Sequence, residues 1–279
     1  MQALVDAARR KASVLVAGLD PVSSRFPSEL RDLLEIPATR EFCRGILEAV
    51  EPYAAAIKLQ VAFFERLGPA GMQLYADLIG DASAFGLPVI ADAKRGDIGP
   101  VAAAYAEAHL GVYGAACVTV NPYMGADAVV PFLEEARRQD RGGGVFVLAA
   151  TSNPSSGAFQ EVTHPPLYEV SSRLVAELGR PGGDYPDAGA VVGVTSPEVG
   201  RRVRKLLPET LFLAPGYGAQ GGDASGVRQL LDERGGGVLV NSSRGIIYAY
   251  QRSEIGYREA AREAARSARD ELRRVVVGV

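Results

Sequence analysis

Cysteine, histidine and tryptophan are scarce in this chain of 279 residues, which has two, two and none of them. Two cysteines, Cys43 and Cys117, exclude a disulfide framework and are too few for a cysteine-rich zinc site. Both stand in apolar surroundings and read as small core residues of a reduced protein. Two histidines make a His-rich metal site a poor fit. His109 falls on a helical stretch and His164 in a loop before Pro165-Pro166, so both are read as structural. Neither charge is in excess: 30 Lys and Arg against 33 Asp and Glu leave a net charge of −3, which argues against a nucleic-acid footprint. No apolar run approaches the roughly 18 residues of a membrane span. The opening Met1-Gln2-Ala3-Leu4-Val5-Asp6 does not have the basic-then-apolar order of a signal peptide. The expectation is a soluble, cytoplasmic protein with neither nucleic acid nor membrane as partner.

What the chain does have is a regular alternation. Eight short apolar runs, at 14–20, 54–60, 87–92, 116–121, 144–151, 189–195, 211–215 and 237–242, are each bounded by Gly, Pro or a polar residue. Buried parallel strands look like this. Amphipathic stretches lie between them. Thr39 is placed to cap a helix over 40–50, with Phe42, Ile46 and Leu47 on one face. Ser196-Pro197-Glu198 has a capping residue and then Pro at a first helical position. Ala, Glu and Arg at helical spacing over about 254–275 predict a closing C-terminal helix. Residues 179–189 are Gly/Pro-rich, but the strand pattern resumes directly, so they read as a loop and not a linker. Eight strand–helix units predict an α/β fold, a single (β/α)8 TIM barrel over residues 1–279. An open doubly wound sheet is the alternative, since periodicity does not show closure.

Polar residues gather at the ends of the runs. The third ends Asp92-Ala93-Lys94-Arg95-Gly96-Asp97. Strand side chains alternate faces, so Asp92 and Lys94 point the same way. Asp97, past Gly96, is placed to return to that lysine; the plainer reading is a structural ion pair with a solvated Arg95. Lys58 lies in an apolar strand, where an unpaired charge is costly. It either snorkels or pairs with a nearby carboxylate, or joins Asp92 and Lys94 in an alternating-charge cluster that holds a field in place before substrate arrives. Asp20 either caps a turn before Pro21 or binds a sugar hydroxyl. Ser152 either donates to a ligand or begins an Asn-Pro turn. After the seventh run comes Pro215-Gly216-Tyr217-Gly218-Ala219-Gln220-Gly221-Gly222-Asp223, glycines that allow close backbone approach with Gln220 as a polar handle. After the eighth comes Asn241-Ser242-Ser243-Arg244-Gly245, a helix start that carries an arginine. Loops after strands seven and eight are the usual phosphate grip of this barrel, and these two predict a phosphate site.

Taken together, these segments resemble the orotidine 5'-phosphate decarboxylase family, and most closely its type 2 branch. The signature is Asp92-Ala93-Lys94-Arg95-Gly96-Asp97-Ile98-Gly99. Gly18-Leu19-Asp20, Lys58 with Phe63-Phe64-Glu65, Asn121-Pro122-Tyr123-Met124-Gly125, Thr151-Ser152-Asn153-Pro154, the glycine-rich segment from Pro215 and Ser243-Arg244-Gly245 match in family order. The resemblance implies conversion of OMP to UMP and CO2 in pyrimidine biosynthesis, with no metal and no organic cofactor. Lys58, Asp92, Lys94 and Asp97 match the family's charged tetrad. It implies Lys94 as proton donor to C6 of the pyrimidine, Asp92 beside the departing carboxylate, and Lys58 orienting it and contacting the ribose. Asp97 would reach into the partner's site of a homodimer. Asp20 would bind the ribose, Ser152 the pyrimidine, and Gln220 and Arg244 the phosphate. One departure stands out: where the family continues with Ser or Asn and then Thr, this chain has Pro100-Val101, and Val101 has no hydroxyl for the ribose contact across the dimer. Two other readings compete. One is a Mg²⁺-dependent sugar-phosphate decarboxylase or aldolase of the same suprafamily. The other is a non-catalytic phospholigand-binding barrel.

Overall fold

In the computed structural model, which describes residues 1–218 and 221–277, eight parallel strands close into a barrel in sequence order. They are β1 (Leu15–Leu19), β2 (Ala56–Gln60), β3 (Val89–Arg95), β4 (Cys117–Val120), β5 (Gly144–Ala150), β6 (Ala188–Val192), β7 (Phe212–Ala214) and β8 (Val238–Ser242). β8 pairs back onto β1 through Leu15–Val240 and Val16–Asn241, which rules out the open sheet. All eight apolar runs are strands. They read as continuous hydrophobic stretches because side chains inside and outside the barrel are both covered. Every residue of β1, β6 and β8 is buried.

Of the longer helices, α1 (Gln2–Lys11) lies against the segments that enter the N-terminal ends of the strands, and α2 (Glu35–Val50), α3 (Gly68–Ala84), α4 (Gly99–Ala106), α5 (Val130–Gln139), α6 (Leu167–Leu178), α7 (Pro197–Leu206) and α8 (Tyr257–Leu272) form the outer layer. α7 starts where Ser196-Pro197 predicts, although the Ser196 side chain makes no capping bond. α8 lies within the expected closing segment and packs on α2. α2 corrects the expectation at Thr39. The helix begins at Glu35, and Thr39 sits inside it with its hydroxyl donating to the Glu35 carbonyl at 2.7 Å. Pro37 does not break the helix because N–H groups in a first turn have no intrahelical acceptor to lose.

Cys43 and Cys117 are buried and unpaired. His109 is buried within a π-helical turn, 3.4 Å from the Tyr75 hydroxyl, and burial together with the Arg95 charge pulls it down to about 4. No helix among the described residues is long and apolar enough to cross a membrane.

Register decides which side chains meet inside. Gly18 lies opposite Lys58, Lys58 opposite Ile90, and Gln60 opposite Asp92. Thr119 lies opposite Phe146, Leu148 opposite Val191, Val191 opposite Leu213, and Val16 opposite Asn241. Opposed residues of parallel strands point to the same face, and this face is the barrel interior. At the strands' C-terminal ends its β8–β4 half is polar and its β5–β7 half is aliphatic.

Candidate active site

The interior opens at the C-terminal ends of the strands into a cavity of 470 Å³, where barrel enzymes carry their sites. Asp92 forms its floor and is 6% exposed. Four groups donate to its carboxylate. Oδ2 accepts from Lys58 Nζ at 2.7 Å and from Gln60 Nε2 at 3.0 Å. Oδ1 accepts from Lys94 Nζ and, at 3.0 Å, from the Thr119 hydroxyl. Lys58 also lies 3.9 Å from Asp20 Oδ1. Of the two cations, Lys58 is buried and Lys94 is 45% exposed toward the cavity.

Burial opposes both ions of the Lys58–Asp92 pair, and attraction outweighs it. Desolvation draws Lys58 down, but Asp92 and Asp20 hold it above its ordinary value. Desolvation draws Asp92 up, but Lys58 and Lys94 hold it well below the usual carboxylate range. The Lys58–Asp92 pair therefore stays charged at neutral pH. Removing one member of a buried pair typically costs about 3–5 kcal/mol, because the other charge is left uncompensated.

The backbone of β3 is unusual where it presents Lys94. Its pairing with β4 shifts between Ala91 and Arg95, and Lys94 has φ of +48°. Asp92 and Lys94 do meet, as strand alternation predicts, but a bulge and not regular pleating brings them together. The strand ends at Arg95, just before Gly96, where a Cβ would lie 2.9 Å from the Asn121 carbonyl. Arg95 is not solvated as the plainer reading has it. Its side chain is partly buried, pairs with Glu65 and lies 5.2 Å from the Tyr105 ring.

Asp20, Ser152 and Arg244 line the same cavity as Lys58, Asp92 and Lys94. The loop after β1 that carries Asp20 is tied down by Tyr248, whose hydroxyl donates to the Asp20 carbonyl at 3.0 Å and accepts from the Val22 N–H at 2.7 Å. Gly193 leaves room for Ser152, since a Cβ there would lie 2.7 Å from the serine Cβ. Beside it, Gln160 clamps Thr151 through both backbone and hydroxyl. Arg244 lines the cavity at the start of a helix of only four residues, Arg244–Ile247, too short to add a helix dipole to its guanidinium. Pro215, Gly216 and Tyr217 line the cavity next to it, and the Gly222 N–H donates back to the Gly216 carbonyl at 3.1 Å. Gln220 lies outside the described residues.

Asp97 is the one described member of the expected set that does not line the cavity. Its carboxylate accepts from the Ile98 N–H at 2.8 Å, and among the described residues it forms no ion pair with Lys94. Two residues with no expected role, Gln60 and Thr119, do touch Asp92. The available signal was a polar residue within a run already read as a buried strand. Among the described residues no group of three His, Cys, Asp or Glu is arranged to hold a metal ion.

A closed barrel with an Asp92 carboxylate clasped by two lysines, and an arginine in the lining of the same cavity, has the make-up of a barrel enzyme's site for a small anionic substrate. The family model described as Orotidine 5'-phosphate decarboxylase / HUMPS family matches residues 13–258. The orotidine 5'-phosphate decarboxylase of Rhodopirellula baltica is 42% identical over 265 residues, 88% of this chain and 87% of that protein. That of Deinococcus radiodurans is 40% identical over 279 residues, covering 97% and 96%. The structure of Leishmania donovani OMP decarboxylase is similar with a TM-score of 0.80 at 31% identity, covering 99% of each chain. This chain belongs to the orotidine 5'-phosphate decarboxylase / HUMPS family.

Proposed function

We propose that this cavity converts orotidine 5'-phosphate to UMP and CO2 without a metal or organic cofactor, with Lys94 protonating C6 of the pyrimidine. The observation that carries this reading is the cluster of Lys58, Asp92 and Lys94, in which both lysines meet on the one Asp92 carboxylate. Breaking the C6–carboxylate bond releases CO2 and leaves an electron pair on C6. The Lys94 ammonium stabilises that charge and then delivers its proton there, and water restores the proton to the amine. Asp92 lies beside the departing carboxylate. Lys58 fixes Asp92 and reaches the ribose together with Asp20. Ser152 faces the pyrimidine, and Gln220 and Arg244 take the phosphate. The Lys58 ammonium in the cavity lining repels a cation, which weighs against a Mg²⁺-dependent reaction there.

The unit that does this is a homodimer in which Asp97 completes the partner's site. Two features support it. Asp97 is not in the lining of its own cavity, and Ile98, Val101 and Tyr105 next to it, at helical spacing, are 51%, 47% and 37% exposed. A dimer contact would cover that apolar face. Val101 then packs in the contact and makes no ribose bond.

The direct test follows the fall in absorbance as orotidine 5'-phosphate becomes UMP, with EDTA present. Turnover is expected at the same rate with and without chelator. A rate lost to EDTA and restored by Mg²⁺ would favour the metal-dependent reading, and no turnover at all would favour a binding barrel.

Arg244→Ala tests the phosphate end. Losing one charge-assisted contact is expected to cost on the order of 1.5–3 kcal/mol in kcat/KM for orotidine 5'-phosphate, and far less for orotidine. The phosphate is remote from the reacting bond, so its binding energy raises the rate as well as the affinity. Equal losses on the two substrates would remove Arg244 as the phosphate ligand.

A further inference from the structure

Lys94 is held at both ends by one small ring of contacts. Its ammonium donates to Asp92 Oδ1, and its backbone N–H donates to the Thr119 hydroxyl at 2.9 Å. That hydroxyl donates in turn to the same Asp92 oxygen at 3.0 Å. The hydroxyl's orientation is fixed by its partners. A backbone N–H only donates and an ionised carboxylate only accepts, so the single hydroxyl hydrogen is committed to Asp92 and a lone pair to Lys94. Thr119 is 1% exposed, so little solvent is at hand to take over either contact.

The backbone at this point needs the support. A left-handed φ of +48° is costly for a residue with a side chain. The β3–β4 ladder is out of register between Ala91 and Arg95, so the Lys94 N–H is taken up by the Thr119 side chain. β4 supplies that side chain from its interior face, two residues after Cys117, which pairs with Ile90.

We infer that Thr119 is a positioning residue for the decarboxylation, its hydroxyl setting the Lys94 backbone and the Asp92 carboxylate in one fixed relation. This rests on Lys94 being the proton donor. Thr119 acts through these two residues, because its hydrogen-bonding capacity toward them is already in use. Its loss therefore misplaces the acid while leaving the nucleotide contacts in place.

The test compares Thr119→Val, which keeps the shape and removes the hydroxyl, with Thr119→Ser, which restores it, and runs Lys94→Ala alongside. kcat and KM are measured with orotidine 5'-phosphate, and UMP affinity by calorimetry. Thr119→Val is expected to lower kcat about 10- to 100-fold, the range for a hydrogen bond to a charged group, with UMP affinity within about threefold of the unsubstituted protein. Thr119→Ser is expected to recover most of the loss. If Thr119→Val does not fold by circular dichroism, Thr119→Cys, of similar size and a weak donor, takes its place with the same expectation. A kcat within about threefold of the unsubstituted enzyme, or a loss that falls equally on UMP binding and is not relieved by serine, overturns the role of Thr119. With Lys94→Ala inactive, the functional reading survives either result. An active Lys94→Ala overturns that reading, and the role of Thr119 with it.

Discussion

Replacing Lys94 with alanine is expected to abolish turnover and leave the barrel folded. Both halves of that expectation come from its position. The side chain is 45% exposed into the cavity, so truncation opens no hole in the core. The Asp92 carboxylate keeps Lys58, Gln60 and Thr119 as donors, so no buried charge is stranded. The same change at Lys58, which is 5% exposed, would put stability as well as activity at risk. What Lys94→Ala removes is the more exposed of the two lysines that, among the described residues, line the cavity. A positioned acid typically contributes about 10²-fold or more, and here the same charge also stabilises the electron pair left on C6. Purified Lys94→Ala with an unchanged circular dichroism spectrum should therefore keep less than a tenth of the original rate. A higher residual rate would mean that another group protonates the ring.

The barrel was legible because its strands are buried on both faces, so each appears as an uninterrupted apolar run whatever its neighbours. The charged cluster was legible for the opposite reason: Lys58 interrupts such a run, and a charge in that setting needs a partner. Less visible was anything set by pairing between strands. Thr119 in Cys117-Val118-Thr119-Val120 looks like one more β-branched strand residue. Only the shifted β3–β4 register brings its hydroxyl to Asp92 and to the Lys94 N–H. The left-handed Lys94 is likewise a product of that register, and a lysine carries no local signal for it. The start of α2 was hidden by Pro37, which suggests a break unless it falls in a first turn.

Asp97 is expected to act across the subunit boundary, and mixing two inactive variants shows it as activity regained. β3 ends at Arg95, and Asp97, half-buried beside the exposed Ile98, is not in the lining of its own cavity. A carboxylate so placed serves a reaction only if a second copy brings a cavity to it. Asp97→Ala and Lys94→Ala are each expected to be inactive alone. In a mixed dimer, one site draws Lys94 from the Asp97→Ala chain and Asp97 from the Lys94→Ala chain, and is complete. The other site lacks both. Random exchange between equal amounts makes about half the dimers mixed, each with one working site of two, so activity should return to roughly a quarter of the original. The two subunits differ in mass, so exchange can be confirmed by mass spectrometry on the intact dimers. If mixed dimers form and activity stays absent, Asp97 works within its own chain, and the exposed face of Ile98, Val101 and Tyr105 has some other use.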